Sequence, residues 1–188
     1  MIIPAWREEA IEKRHDRKGF DCGQAALNAF FAQHARKAHE NGASKTYVAI
    51  DKADGVTVLG FYTLSPAQVD FDRVPEVARP GGGRHAVGGF RLGRLGVDKK
   101  YQGVGLGGQL LVAAAERCIR ASAEMGGTAL MIDAKDEKGA AWYKLYGAVS
   151  LNDMPLSLLM PYSLFRKAIA LAEGERVAGV RRNESTIK

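Results

Sequence analysis

The sequence predicts an α/β fold, and three observations carry that reading. Helix-length periodic stretches alternate with short apolar runs along most of the 188 residues. One pair of runs is joined by Asp54-Gly55, a hairpin turn. A third run, Leu92, Leu95 and Val97, passes through Gly103, Gly105, Gly107 and Gly108 into a long helical pattern. Glycines at the start of a helix leave bare backbone N–H groups at the positive end of its macrodipole, which is a site for an anion. That turn organises the chain.

In order, residues 2–18 are mixed, and Trp6, Ala10 and Ile11 predict a short amphipathic helix. Asp21 and Gln24 have the spacing of a capping box, so a helix is expected from there to about Glu40. Leu27, Phe30, Phe31, His34 and Ala38 would share its apolar face, with Asn41-Gly42 as the stop. On that face His34 reads as a core histidine. Cys22, near the helix start, could be an activated thiol, but a small buried residue in a tight turn is the simpler reading. A strand follows from Lys45 to Ile50, and the return strand from Val56 to Leu64 is expected to close at Pro66. Residues 70–89, with Pro75, Pro80 and glycines at 81–83, read as a long connection of the functional or mobile kind. Phe90 to Val97 is the next strand and Gly105 to Met125 the next helix, with Leu110, Leu111, Ala114, Cys118 and Ile119 inward. Gly126-Gly127 breaks it. Residues 129–132 are a buried strand, Lys138 to Tyr146 a helix ended by Gly147, and Leu156 to Met160 a last strand. Tyr162 to Glu173 is expected to be helical, giving one domain over residues 1–174 and a polar tail over 175–188.

Composition narrows the function classes. Hydrophobic residues are 46% and charged residues 26%, ordinary globular values. No run approaches the roughly 20 apolar residues of a membrane span, and residues 1–9 turn charged too soon for a signal peptide. Two cysteines, Cys22 and Cys118, make no disulfide framework, so a reducing cytoplasm is expected. The four His and two Cys show no metal-ligand spacing, and no metal is expected. Net charge is +6, and seven bases from Arg73 to Lys100 face only Glu76 and Asp98. That excess suits a phosphate-rich ligand or nucleic acid, and equally a solvated basic face.

Which phosphate ligand the turn would take is open on the glycines alone. A Walker A loop is excluded, since no Lys-Ser or Lys-Thr follows them. Gly103-x-Gly105-x-x-Gly108, with Asp133 downstream, fits the dinucleotide fingerprint in letters, but Asp98 to Gln102 separate it from the strand that its first glycine should close. Gln102-Gly103-Val104-Gly105-Leu106-Gly107 has the form Q/R-x-x-G-x-G/A and resembles the acyl-CoA loop of the GNAT superfamily of N-acyltransferases. The whole order of elements is similar to the GNAT fold, so a mixed central sheet flanked by helices is implied. A second marker, N-x-x-A-x-x-F-Y-x-x-x-G-F, lines up with Asp136 to Ala148: Tyr143 and Gly147 match, while Asp136 stands for the usual Asn, Gly139 for Ala, Trp142 for Phe and Ala148 for the last Phe.

A narrower resemblance spans some 130 residues. Phe20-Asp21-Cys22-Gly23, Leu27-Asn28-x-Phe30, Gly42-Ala43-Ser44-Lys45-Thr46 and Leu92-Gly93-Arg94-Leu95-Gly96-Val97-Asp98 resemble GNAT-type toxins of bacterial toxin–antitoxin modules. The resemblance implies acetylation of the α-amino group of aminoacyl-tRNA and a block of translation, with acetyl-CoA as co-substrate. It implies a ribbon-helix-helix antitoxin as partner and leaves a homodimer open. The cofactor would lie on Gln102, Gly103, Val104, Gly105, Leu106 and Gly107, with its arm along Leu95, Gly96 and Val97 and Asp136 in the place of a contacting Asn. Tyr143 would be the general acid, with Tyr146 packing one turn away. Arg84, Arg91, Arg94, Arg36, Lys37 and Lys45 would meet the tRNA phosphates. Two alternatives stand beside this: a GNAT enzyme acting on a small or protein amine, and a regulator that binds CoA or nucleic acid with Tyr143 idle.

Overall fold

The computed structural model describes residues 3–81 and 83–171, and the chain forms two compact units. One is built from the chain up to Ala67 with Phe90–Glu124, the other from Gln68–Gly89 and the chain from Met125 onward.

In the first unit β1 (Trp6–Ala10), β2 (Lys45–Asp51), nearly all of β3 (Val58–Val69) and most of β4 (Val87–Val97) are neighbours in that order. β1 stands where a short amphipathic helix was expected. Its residues pair antiparallel with β2, from Trp6↔Asp51 to Ala10↔Tyr47. Its polar side chains are used by distant partners. Glu8 accepts from the Tyr62 hydroxyl at 2.8 Å and pairs with Arg117, and Trp6 Nε1 donates to Gln109 Oε1 at 3.0 Å. Those partners, 54 to 109 residues away, override a weak local periodicity. β2 and β3 pair antiparallel, and Asp54 closes their turn by accepting from the Val56 and Thr57 N–H groups. β3 runs on to Val69 and does not close at Pro66. Proline's fixed φ is compatible with extended backbone, so it need not end a strand.

The helix expected from Asp21 to Glu40 is two helices, α1 (Ala25–Gln33) and α2 (Ala35–Glu40), which meet at His34. Gln24 takes the N-cap position without a side-chain cap bond, so the Asp21–Gln24 capping box does not form. Phe31 and Ala35 are buried, Leu27 and Phe30 are half-buried, and His34 is exposed rather than a core histidine. Phe31 stacks on Phe61 with centroids 4.2 Å apart, and Phe20 meets both edge-on. Such aromatic pairs add about 0.5–1.5 kcal/mol beyond the area they bury. α3 (Leu106–Met125) buries Leu110, Leu111, Ala114, Ala115 and Cys118. A Cβ at Gly60 would lie 2.7 Å from Leu110, so glycine there lets α3 close on the sheet.

In the second unit β5 (Ala129–Asp133), β7 (Met154–Pro161) and β6 (Val149–Leu151) lie in that order, all antiparallel. β6 was not expected: three residues give no readable alternation. α4 (Glu137–Lys144) precedes it, and residues 162–171 are helical. The end of that helix at Glu173 and the tail over 175–188 fall outside the described residues. The first part of the expected connection forms single 3-10 turns at Phe71–Arg73 and Glu76–Ala78. Asn152 fastens it, donating its N–H to Arg73 C=O at 2.8 Å and its amide to Asp72 C=O at 3.0 Å.

Candidate functional site

The glycine turn sits at the end of β4 in the first unit. Leu95 is half-buried, and Gly96 and Val97 are buried. A Cβ at Gly96 would come within 3.0 Å of Phe61 and 3.1 Å of Leu27, so the aromatic core reaches right up to this strand. Past Val97, Asp98 turns the chain into a 3-10 turn at Lys99–Tyr101, accepting from the Lys100 N–H at 3.0 Å. Gly103 (φ 73°) and Gly105 (φ 94°) then take left-handed backbone, which other residues adopt only at a cost. A Cβ at either would meet nothing within 4 Å. Glycine is therefore needed for conformation, and the space beside it is free for a ligand. Leu106 is fully buried and pins the start of α3. Among the described residues, no backbone bond outside the helix takes up the N–H groups of Val104 to Gly107. These donors, at and just before the head of a 20-residue helix, can receive a phosphate or pyrophosphate.

The base of the turn is where three of the four motif stretches meet. The Asp21 N–H donates to Asp98 Oδ2 at 3.0 Å, and the Lys99 N–H to Asp21 C=O at 2.9 Å. Lys99 Nζ reaches Asp21 Oδ2 at 2.8 Å. Asn28 Nδ2 and the Gly23 N–H donate to Asp21 Oδ1 at 2.7 and 2.8 Å. Led by the Lys99 ammonium, these donors hold the Asp21 carboxyl down at about 2. Gln102 Nε2 donates to Val97 C=O at 2.8 Å and Cys22 C=O at 3.0 Å. Its side chain is thus a tie, and its backbone N–H closes the 3-10 turn with a long bond of 3.5 Å to Lys99 C=O. Cys22 is buried, its thiol is pushed up by that burial, and it donates to Asn28 Oδ1, so it is the small packed residue and not an activated nucleophile. Asn28, Asp98 and Lys99 were not expected to serve the site. Asn28 and Asp98 lie in the shared motif stretches and Lys99 directly follows one, but only the fold shows what they join.

α4 carries the other candidates, in the second unit. Asp136 caps it, accepting from the Gly139 N–H at 2.8 Å. Its carboxylate is exposed but already engaged, a use that an Asn in that place could share. Tyr143 is half-buried, and its hydroxyl has no hydrogen-bond partner among the described residues. Burial pushes that hydroxyl up to about 12, so it stays protonated at neutral pH. Its ring meets Trp142 edge-on at 4.9 Å, and Tyr146 packs on Trp142 at 5.2 Å.

The basic residues differ in what they touch. Arg94 lies over the Phe30 ring, 3.6 Å from its centroid. Arg36 pairs with Glu40, and Lys45 Nζ donates to His39 C=O at 3.0 Å. Lys37 is exposed, and Arg91 is half-buried. Arg84 belongs to the second unit, where it pairs with Asp72 at 2.6 Å and lies 5.9 Å over Phe71. Among the described residues no three His, Cys, Asp or Glu could hold a metal ion, and no helix is long and apolar enough to cross a membrane.

No family model matches the chain. It is 30% identical over 163 residues to a probable toxin TacT of Sinorhizobium fredii, covering 81% of this chain and 88% of the relative. It is 31% identical over 150 residues to a tRNA-acetylating toxin of Mycobacterium tuberculosis, covering 80% and 88%. Its fold matches AtaT complexed with acetyl-methionyl-tRNAfMet at a TM-score of 0.79 and 27% identity, over 89% of this chain and 99% of that one. A tyrosine-to-phenylalanine mutant of AtaT, bound to the C-terminus of the antitoxin AtaR and acetyl-CoA, matches at a TM-score of 0.72 and 26% identity, over 88% and 97%.

Proposed function

The chain belongs to the family of GNAT-type toxins, and from that premise we propose that it transfers the acetyl group of acetyl-CoA to the α-amino group of aminoacyl-tRNA, blocking translation. The observation that carries this reading is the match, along four fifths of the chain, to a toxin named for acetylating tRNA. The glycine turn supports it, because unclaimed N–H groups at a helix head fit a pyrophosphate.

In this proposal acetyl-CoA supplies an acetyl thioester. The backbone from Gln102 to Gly107 binds the pyrophosphate, and the backbone at Leu95, Gly96 and Val97 lines the arm and offers an N–H to the carbonyl oxygen. Asp136 borders the cofactor while capping α4. As the new C–N bond forms and the C–S bond breaks, the amine gives one proton to water and the sulfur gains one. Tyr143 donates that proton and recovers it from water. Burial keeps that hydroxyl protonated, so its proton is available to the sulfur as charge develops there. No strong base is needed for this acceptor. An α-amine has a pKa of ~7.7–8.0, against ~10.4 for lysine, and esterification lowers it further. Arg36, Lys37, Lys45, Arg84, Arg91 and Arg94 meet the RNA phosphates. The partner that silences the toxin is an antitoxin of the ribbon-helix-helix type, the toxin works in the cytoplasm, and a homodimer is its simplest assembly.

The test is to incubate the chain with labelled acetyl-CoA and charged bulk tRNA. Label should pass to the aminoacyl group of one or a few tRNAs. Label that passes only to small or protein amines would replace this reading with that of a general amine acetyltransferase.

A further inference from the structure

Asp98 is a carboxylate that the proposed reaction leaves without a role, yet it is only 6% exposed. All its polar groups are committed. Oδ2 accepts from the Asp21 N–H and Oδ1 from the Lys100 N–H, each at 3.0 Å. Its own N–H donates to Leu59 C=O at 2.9 Å, and its C=O accepts from the Tyr101 N–H at 2.8 Å. A buried carboxylate is tolerated only when donors surround it. Here the donors come from two places, the segment before α1 and the first turn after β4, while the Asp98 N–H is itself held by Leu59 C=O in the sheet. Asp98 is the last residue held to β3 by its backbone and the first to hold the turn by its side chain. Four residues on, Gln102 closes the same stretch by donating to Val97 and Cys22. Both partners are carbonyls, so only the NH₂ end of the amide can face them. The stretch from 98 to 102 is thus fixed at both ends immediately before the open N–H groups begin. An anion held by backbone donors gains affinity when those donors are already in place, since no ordering cost remains to be met on binding.

We infer that Asp98 is a positioning residue for the pyrophosphate end of acetyl-CoA: it sets the geometry of the turn without touching the donor. This rests on the proposal that the turn holds that pyrophosphate.

The experiment uses the full chain, charged tRNA as acceptor, and two donors: acetyl-CoA and S-acetylpantetheine, which carries the same thioester and no pyrophosphate. Asp98→Asn is nearly isosteric, but its NH₂ opposes one of the two backbone N–H groups. The KM for acetyl-CoA should rise about tenfold with kcat within about threefold, as expected when binding rather than chemistry is impaired. Turnover of S-acetylpantetheine should stay within about twofold. Asp98→Ser, whose hydroxyl accepts one N–H and opposes none, should recover part of the acetyl-CoA affinity, and it also serves if the Asn variant does not fold. An equal loss with both donors, or an unchanged KM for acetyl-CoA in a folded variant, would overturn the inference. If the wild type itself used both donors with the same KM, the pyrophosphate reading would fail before any variant was made.

Discussion

At the base of the glycine turn almost every supporting polar atom is spent. Asp21, Asn28, Asp98 and Gln102 exchange bonds with one another and with the backbone of three segments, and none of these bonds exceeds 3.0 Å. α4 is built the other way. Its cap is satisfied by Asp136, but the Tyr143 hydroxyl has no partner among the described residues and sits where burial keeps it protonated. The contrast is the one the two proposed roles require. Backbone donors bind an anion well only if they cannot move, so the side chains behind them must be saturated. A proton donor must keep its hydroxyl free for the reacting atom, and leaving a half-buried hydroxyl unpaired costs stability.

The largest effect should come from breaking the uncommitted side of this comparison. Tyr143→Phe keeps the ring against Trp142 and removes the hydroxyl, so acetyl-CoA affinity should hold while kcat falls by about 10²–10⁴-fold. Steady-state rates beside calorimetric binding check it, and turnover within about threefold of wild type would make Tyr143 a packing residue. On the committed side, Gly105→Asp places a Cβ and a charge on left-handed backbone facing the anion, and acetyl-CoA binding should fall by about 10² or more. Gly105→Ala isolates the conformational part, roughly 1–2 kcal/mol, or about tenfold. Unchanged affinity in a folded Gly105→Asp would put the cofactor elsewhere.

The turn and α4 were legible in the sequence, and the clasp at the base of the turn was not. The turn was readable because its chemistry is local: a strand, glycines and a helix in one run of residues. The same holds for α4, whose stop at Gly147 (φ 87°) follows from backbone sterics. What escaped depends on partners far along the chain. Asp21 looked like a helix cap because an Asp three residues before a Gln is what a cap looks like. It does accept a backbone N–H, but from Gly23, and its other partners include Lys99, 78 residues away. β1 looked helical because Trp6, Ala10 and Ile11 fit a weak 3.6 period, while the ladder to β2 and the Glu8–Arg117 pair that fix it as a strand are invisible locally. Pro66 marked an end that extended backbone did not require.

A third effect, smaller again, compares the basic residues. Arg84 pairs with Asp72 where both side chains are more than three-quarters exposed, and such pairs are worth about 0–1 kcal/mol, so a phosphate can displace the carboxylate. Arg84→Glu and Arg91→Glu should each weaken binding of charged tRNA and reduce the slope of log K against log salt by about 0.7–0.9 for each phosphate no longer neutralised. Acetyl-CoA affinity should barely change. Arg94 is a poorer probe because its removal also uncovers the Phe30 ring. A filter-binding series over several salt concentrations decides it: a flat salt response, or variants that bind as wild type does, would favour a small-amine acceptor.

The smallest effect sets the turn base against the β2–β3 hairpin. Asp21 is held at about 2, mainly by Lys99, and Asp54 is held at about 2, mainly by the Thr57 hydroxyl. Both sit below the ordinary 3.8, so the folded state binds fewer protons than the unfolded one. Their contribution is therefore complete above about pH 4 and is lost as the pH falls from there toward 2. Both carboxylates are exposed, which keeps the effect modest. Asp21→Asn and Asp54→Asn should each lower the melting temperature at neutral pH and flatten its decline across that window, and the double variant should show the sum, since the two share no partner. Acetyl-CoA should separate them. At neutral pH Asp21→Asn should weaken its binding, because Asp21 and Lys99 form part of the clasp behind the turn, and Asp54→Asn should not. If the two variants bind acetyl-CoA alike, the carboxylate of Asp21 does no more for the turn than a hairpin aspartate does for a hairpin.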